Sequence, residues 1–217
     1  MDNTQDGQPQ TATEEIVELH SAKILLPSTV CRLWSLCLFL VVVSVGLSAD
    51  LFSKHWVFQA LGMPGEYKFD TEPELRGVHW IWQDVFGLQT SLNSGALFGF
   101  LAGQTMILVV FSAVFLTGIV LFLIFWAWRS PLFAVILGMI TAGICGNLFD
   151  RLGWHGLVYP EWHPMAGEPM YAVRDWILCM ISTFPWPNLN IADSLLVGSV
   201  FLLLLYWLLW EKAEVGK

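Results

Sequence analysis

Charged residues are scarce in this sequence. Asp, Glu, Lys and Arg make up 13% of its 217 residues, about half of the roughly 25% that is usual in soluble domains. Hydrophobic residues account for 56% of the chain, and the mean hydropathy is +0.62. This balance excludes an ordinary soluble domain and predicts a protein that crosses a membrane several times.

The sequence also lacks the common ligand and nucleophile motifs. No Cys-x-x-Cys pair, no His-Glu-x-x-His pattern and no evident Ser/His/Asp or Cys/His set is present. No run of Lys or Arg suggests nucleic acid as a partner. We therefore expect no metal and no cofactor, and we interpret the four cysteines as buried apolar thiols: Cys31, Cys37, Cys145 and Cys179.

Four apolar runs predict four transmembrane helices. The first extends from Leu33 to Ala49, at the lower limit of the ~17–25 residues that a span needs. The others extend from the Asn93 region to Trp128, from Pro131 to Phe149 and from Ser194 to Trp210. A cleaved signal peptide is the alternative for the first run, but the long acidic segment before it disfavours that reading.

These runs divide the chain into an acidic N-terminal tail (1–30), a membrane domain (31–212) and a short C-terminal tail (213–217). Thr11 and Glu14 have the spacing of a helix-capping box, and we assign the N-terminal tail no chemistry. Four spans place both termini on one side. Positive residues flank the spans there, which predicts the cytoplasmic side, although other cations lie opposite.

Two polar segments, 55–92 and 152–189, connect the spans on the outer side. Weak alternation from Leu88 to Leu92 predicts a short strand. The apolar run from Ile177 to Phe184 is too short to cross and is predicted to be interfacial. The tight turn Trp128–Ser130 joins the middle two spans.

Glycines recur every four residues where the second span is predicted to begin. Gly95, Gly99 and Gly103 would form a ridge of small residues that lets membrane helices approach closely. Asn93 is a polar side chain at the same span boundary. The glycines predict helix packing, whereas Asn93 is a candidate site residue.

The pattern Asn-x-x-Asp occurs twice, each time where an apolar run meets a polar segment. Asn147 and Asp150 end the third span, while Asn190 and Asp193 precede or begin the fourth. Residues three apart share a helix face. Two close carboxylates in a partly dry site share a proton, so one takes a proton from water while the other donates to a carbonyl oxygen. This chemistry is that of an aspartic peptidase.

A structural interpretation of the same residues stays open. Asp193 would then be the N-cap of the fourth helix, and Asp150 and Arg151 would be interfacial residues. Asp50 and Lys54 are four residues apart, a spacing that predicts an ion pair on a helix, and we expect that pair to be interfacial and structural.

Several segments together resemble a known family. The stretches NSGALFGF, GICGNLFDR and NLNIADS are similar, in this order, to the signature boxes of the lipoprotein signal peptidases, or signal peptidase II. The segment from Asp50 to Lys54 resembles that family's Asp–Lys element. The stretch VRDWI resembles its Val-x-Asp-aromatic-Ile element. The resemblance covers about residues 33 to 210.

The resemblance implies an all-α membrane protein with four transmembrane helices, a small extracytoplasmic β cradle and a periplasmic helix, which we expect near Trp176. It implies an aspartic endopeptidase of the cytoplasmic (inner) membrane, with its active site at the periplasmic surface. This enzyme would cleave diacylglyceryl-modified prolipoproteins before the lipidated cysteine, in contact with membrane lipids, and would be inhibited by globomycin. The implied roles are catalytic for Asp150 and Asp193, substrate-binding for Asn93, Asn147, Arg151 and Asn190, and supporting for Asp50, Lys54 and Asp175.

The chain departs from the family pattern at Leu51 and Leu189, in its acidic tail and in its longer outer segments. These departures leave open how the substrate enters. A small proton-coupled transporter is the alternative function, because carboxylates inside membranes also mark proton pathways. Carboxylates at one surface, rather than at the bilayer midplane, favour the peptidase. A non-catalytic membrane scaffold is the third option.

Overall fold

A computed structural model describes residues 27–64, 77–95, 103–125, 131–161 and 163–215. Within them the chain forms four long helices and a small antiparallel sheet. The helices are α1 (Pro27–Leu61), α2 (Thr105–Phe125), α3 (Pro131–Arg151) and α4 (Ile191–Val215). The strands are β1 (His79–Trp82), β2 (Phe86–Asn93), β3 (Val173–Ile181) and β4 (Phe184–Pro185).

All four helices are long and apolar enough to cross a membrane, which confirms the four predicted spans. Large apolar side chains are exposed along α1, α2 and α4, as a hydrocarbon surrounding permits. Helix α3 is central: α1, α2 and α4 all pack against it. The polar outer end of α3 is therefore surrounded by other elements of the protein.

Small residues bring α1, α3 and α4 close together near the C-terminal end of α3 and the start of α4. A Cβ atom at Gly143 of α3 would lie 2.7 Å from the backbone oxygen of Ala192 in α4. A Cβ atom at Gly146 would overlap the carboxylate of Asp50 in α1 and lie 3.2 Å from the Cβ of Ala192. Three helices therefore converge where only glycine fits.

The sheet has the strand order β1-β2-β3-β4, and all neighbours are antiparallel. Strand β2 confirms the strand predicted around Leu88 to Leu92. Its last residue, Asn93, pairs with Val173 at the start of β3. Strands β2 and β3 pack against α1, so one end of the sheet lies beside the outer end of the helical bundle.

Several predicted boundaries are wrong. Helix α1 does not end near Asp50 but continues to Leu61, because Asp50 and Lys54 neutralise each other within the helix. Helix α2 begins at Thr105, whereas Asn93 ends a strand. Gly95 and Gly103 consequently lie outside α2, so these two glycines do not form a ridge on that helix.

The run from Ile177 to Phe184 belongs to β3, β4 and the turn between them. Trp176 also lies in β3, so the helix expected near it is a strand. No helix besides the four is present in the described ranges. The predicted capping box at Thr11 and Glu14, Gly99 and the Trp128–Ser130 turn lie outside the described residues.

Candidate active site

Asp150, in the last turn of α3, is enclosed by cations. Its side chain has no exposed surface. The Arg174 guanidinium donates to Oδ1 from Nη2 at 2.7 Å and from Nε at 3.1 Å, and the Arg174 backbone N–H donates to Oδ2 at 3.0 Å. Nζ of Lys54 lies 3.2 Å from the same Oδ2. Both oxygens of Asp150 are therefore engaged by buried positive groups.

Asp50 and Lys54 form the predicted ion pair, with Oδ2 and Nζ 2.7 Å apart. Both side chains are completely buried, so the expectation of an interfacial pair is wrong. The other oxygen of Asp50, Oδ1, accepts the backbone N–H of Ala192 at 2.8 Å. This bond satisfies an otherwise unpaired N–H group at the start of α4, and it ties α1 to α4.

A reciprocal capping box begins α4. Oδ1 of Asn190 accepts the backbone N–H of Asp193 at 2.8 Å, and Oδ2 of Asp193 accepts the backbone N–H of Asn190 at 3.3 Å. Asn190 is therefore the N-cap, and Asp193 is the third residue of the helix. The structural interpretation placed Asp193 at the N-cap, which is wrong because Asn190 occupies that position. Asp193 nevertheless takes part in capping α4, from the third position of the helix.

Asp175 lies in β3, and its side chain is almost completely buried. Nδ2 of Asn190 donates to its Oδ1. Burial and, to a smaller extent, the negative charge of Asp193 raise the pKa of Asp175 to about 7, although Asn190, Lys54 and Asn93 act in the opposite direction. Asp175 is therefore a carboxyl group that changes its protonation state near neutral pH.

The Asn147 amide connects these groups. Its Nδ2 donates to Oδ1 of Asp193 at 2.8 Å, while its Oδ1 accepts from Nζ of Lys54 and from Nδ2 of Asn190, both at 3.1 Å. Because Asn190 also binds Asp175, a chain of two amides links Asp175 to Asp193. The two carboxylates thus share neutral partners.

A cleft of about 340 Å³ opens beside Asp193. Its polar lining consists of Asn93, Asn147, Arg151, Asn188 and Asp193, and apolar residues such as Leu189 and Leu196 form the rest. Nη2 of Arg151 donates to the Gly95 oxygen at 3.0 Å, and the Gly95 N–H donates to Oδ1 of Asn93, also at 3.0 Å. Arg151 therefore holds the turn that follows β2 against the cleft.

Four residues predicted from the sequence thus share one cleft, and Asn190 stands behind it bound to both Asn147 and Asp193. Asp150 is in contact with Arg174 and Lys54 instead, and its predicted catalytic role stays a prediction. Arg174 was not among the residues predicted to have a role. A signal was present, since adjacent residues of a strand point to opposite faces, which separates Arg174 from Asp175.

No group of three or more His, Cys, Asp or Glu side chains in the described residues is arranged to hold a metal ion. The absence of a metal from the reaction stays a prediction.

Comparisons with known proteins identify relatives of one kind. Residues 42–209 match the family model described as signal peptidase (SPase) II. A lipoprotein signal peptidase of Rhodopirellula baltica is 39% identical over 77% of this chain and 70% of its own length. Another, from Xanthomonas euvesicatoria pv. vesicatoria, is 32% identical over 79% of this chain and 83% of its own length.

Solved structures share the fold. One is described as a bacterial membrane enzyme structure obtained by the in meso method at 2.3 Å resolution; it is 22% identical, with a TM-score of 0.58, over 78% of this chain and 87% of that one. A 1.9 Å structure of the same description has a TM-score of 0.57. None of these similarities supports the transporter alternative. The family match over most of the chain and the relatives at 39% and 32% identity show that the chain belongs to the signal peptidase II family.

Proposed function

We propose that this membrane peptidase removes signal peptides from lipid-modified prolipoproteins by an aspartic mechanism in which Asp175 and Asp193 are the reacting pair. The observation that carries the proposal is the pair itself. The two carboxylates influence each other electrostatically, and their hydrogen-bond donors include the neutral amides of Asn147 and Asn190. A pair with one proton is the arrangement that this chemistry needs.

The surroundings support different protonation states for the two groups. Asp193 receives hydrogen bonds from Asn147 and Asn190 in the first turn of α4, where the helix dipole favours a negative charge. Asp175 is nearly without solvent contact, and burial raises its pKa to about 7. We assign Asp193 as the ionised base and Asp175 as the protonated acid.

The step then balances as follows. Asp193 takes a proton from a water molecule as the water oxygen bonds to the scissile carbonyl carbon. At the same time, Asp175 donates its proton to the carbonyl oxygen. Collapse of the tetrahedral intermediate returns a proton to Asp175, and the leaving amine takes a proton from Asp193. Both carboxyl groups end as they began, and no covalent enzyme intermediate is formed.

This assignment replaces the predicted Asp150 with Asp175. Asp150 is fully buried, and both of its oxygens are bound by Arg174 and Lys54. Because cationic donors occupy both oxygens, Asp150 is poorly placed to act on a substrate carbonyl group. Its role in this proposal is to hold β3 against the end of α3.

Arg151 is the cation best placed to bind substrate. It lines the cleft, and its Nε is buried with no hydrogen-bond partner among the described residues. We assign Arg151 and Asn93 to substrate carbonyl groups beside the reacting bond. Cleavage before the lipidated cysteine, contact with membrane lipids and inhibition by globomycin are further parts of the proposal that rest on the family resemblance.

We also propose that the cleft faces the periplasm and that both termini are cytoplasmic. Cysteines placed at the exposed positions Asp84 and Glu161, in a background without native thiols, should react with an impermeant reagent added from the periplasmic side. Reaction only from the cytoplasmic side would reverse the proposed orientation.

The decisive experiment for the reacting pair is cleavage of a lipidated prolipoprotein by folded, detergent-purified variants. Asp175→Asn and Asp193→Asn should each lower kcat by at least ~10²-fold, the usual scale for a positioned acid or base. The double variant should be about as inactive as either single variant, because the two groups act together. Normal turnover by folded Asp175→Asn, with loss of turnover in folded Asp150→Asn, would return the pair to Asp150 and Asp193.

A further inference from the structure

A second cavity, of about 450 Å³, lies within the membrane-spanning part of the protein. Phe115 and Gly118 of α2 form one side, Ile140 and Phe133 belong to α3, and Leu203 of α4 forms the other side. All its lining side chains are apolar. The cavity therefore lies between α2 and α4, over the face of α3 against which α2 packs.

This cavity continues the line of the active-site cleft. On α3, Asn147 of the cleft is seven residues from Ile140 of the cavity, and Ile140 is seven residues from Phe133. On α4, Leu196 of the cleft and Leu203 of the cavity are also seven residues apart. Residues seven apart share a helix face. Cleft and cavity thus lie along the same faces of α3 and α4. We use the name membrane groove for the cavity together with the strip of α3 and α4 that connects it to the cleft.

Aromatic rings limit the groove at its far end. The ring of Phe133 lies 5.0 Å from that of Tyr206 and 6.5 Å from that of Phe122. From Asp193 to Tyr206, helix α4 rises about 20 Å at ~1.5 Å per residue. The apolar region of a signal peptide, with ~7–15 residues, would measure about 10–22 Å as a helix. The groove and such a segment therefore match in length.

The groove is open at Gly118 of α2. A Cβ atom added at Gly118 would meet nothing within 4 Å, and a small residue at this point lets a second helix approach closely. A peptide in hydrocarbon must satisfy its backbone hydrogen bonds internally and is therefore helical. The chemistry of the groove suits an apolar helix that enters from the bilayer with its end at Asp193.

We propose that the membrane groove binds the apolar helix of the substrate's signal peptide and so presents the following peptide bond to the cleft. This inference rests on the proposed peptidase function and adds the surface that selects the substrate. A lipid acyl chain is the other occupant with suitable chemistry, and the experiment separates the two.

The first test fills the groove. Gly118→Phe should raise KM for a full-length lipidated prolipoprotein by about tenfold or more, equivalent to ~1.4 kcal/mol of lost binding free energy, with kcat little changed. Val120→Phe is the matched control, because Val120 is exposed on the opposite face of α2. A lipidated peptide without the apolar region should be cleaved equally by wild type and both variants. An unchanged KM for the full-length substrate in folded Gly118→Phe would overturn the inference.

A second test needs no groove-filling substitution. A photoreactive residue in place of Leu203 should crosslink to the signal peptide of purified prolipoprotein. The control is the same group in place of Phe201, which is exposed two residues away on the opposite face of α4. That group should crosslink to lipid. Crosslinks from position 203 to phospholipid alone would assign the groove to lipid and overturn the inference. Wild-type enzyme that cleaves prolipoprotein in those assays keeps the proposed function intact, whereas failure to cleave any prolipoprotein refutes that function itself.

Discussion

The two Asn-x-x-Asp segments are identical as patterns and opposite in surroundings. Asp150 has no exposed surface and lies between the cations Arg174 and Lys54. Asp193 lines an open cleft and receives hydrogen bonds from the amide of Asn147 and the backbone of Asn190. Asp150, Lys54 and Arg174 form a buried cluster of charges, which we name the ionic junction. Asp193 instead faces the space that a substrate can enter.

The difference shows that the role of a carboxylate depends on the groups that bind it, and not on the sequence motif in which it occurs. A carboxylate bound by two buried cations keeps its charge and fixes the elements that carry those cations. A carboxylate bound by neutral amides near a second acid is able to exchange a proton. The junction at Asp150 joins α1, α3 and β3, and the cleft at Asp193 depends on where that junction places them.

The strongest test of the comparison removes the charge of the buried junction. Asp150→Asn leaves Arg174 and part of the charge of Lys54 buried without a counterion, a change that typically costs ~3–5 kcal/mol. We expect a large fall in folded yield and in the thermal midpoint in detergent. Asp84→Asn, at an exposed turn, is the control and should change neither. An Asp150→Asn protein as stable as wild type would contradict the ionic junction.

A second test titrates the pair at the cleft. The folded-state pKa of Asp175, about 7, is above its ordinary value of 3.8, so the folded protein binds this proton more tightly than the unfolded chain. Its contribution to stability is fully present below about pH 3.8 and is lost as pH rises to about 7.

Wild type should therefore lose stability relative to Asp175→Asn between about pH 4 and 7, by an amount on the order of a few kcal/mol. Thermal midpoints of both proteins measured across this range check the expectation. Parallel curves for the two proteins would show that Asp175 does not titrate there.

The smallest effect concerns the spacing between the two regions. In an ordinary helix, Gly→Ala is favourable by roughly 0.5–1 kcal/mol. At Gly146, however, the new methyl group would meet the Asp50 carboxylate and Ala192. We expect Gly146→Ala to be destabilising by ~1–3 kcal/mol, as for other overpacked sites. Gly118→Ala, in open space, should be neutral or stabilising, and equal midpoints for the two variants would contradict the close approach at Gly146.

The sequence predicts the helical part of this fold well because run length and hydropathy are local properties. It does not predict where α1 ends, since Asp50 and Lys54 look like a boundary until they are seen to neutralise each other inside the helix. The apolar run from Ile177 to Phe184 fits either a strand or an interfacial segment. It forms a strand because it pairs with β2, which lies about 90 residues earlier in the chain.

The candidate site was predictable in its residue types and less so in its pairings. Asn93, Asn147, Arg151 and Asp193 meet in one cleft, as the resemblance implies. The neighbours of Asp150 were not predictable, because Arg174 lies 24 positions later in the chain, in a strand. The spacing of residues within a motif indicates which of them share a helix face. It does not indicate which cation of another helix or strand will contact them.

The length of α1 links the enzyme to the physical state of the lipid around it. With 35 residues, α1 measures about 52 Å at ~1.5 Å per residue, well beyond the ~30 Å thickness of a hydrocarbon core. A rigid rod of this length responds to a thinner or thicker bilayer by tilting. Because β2 and β3 pack on α1, the sheet moves with the rod. We therefore expect a change in lipid chain length to change the tilt of α1 and, with it, the position of the sheet relative to the bilayer.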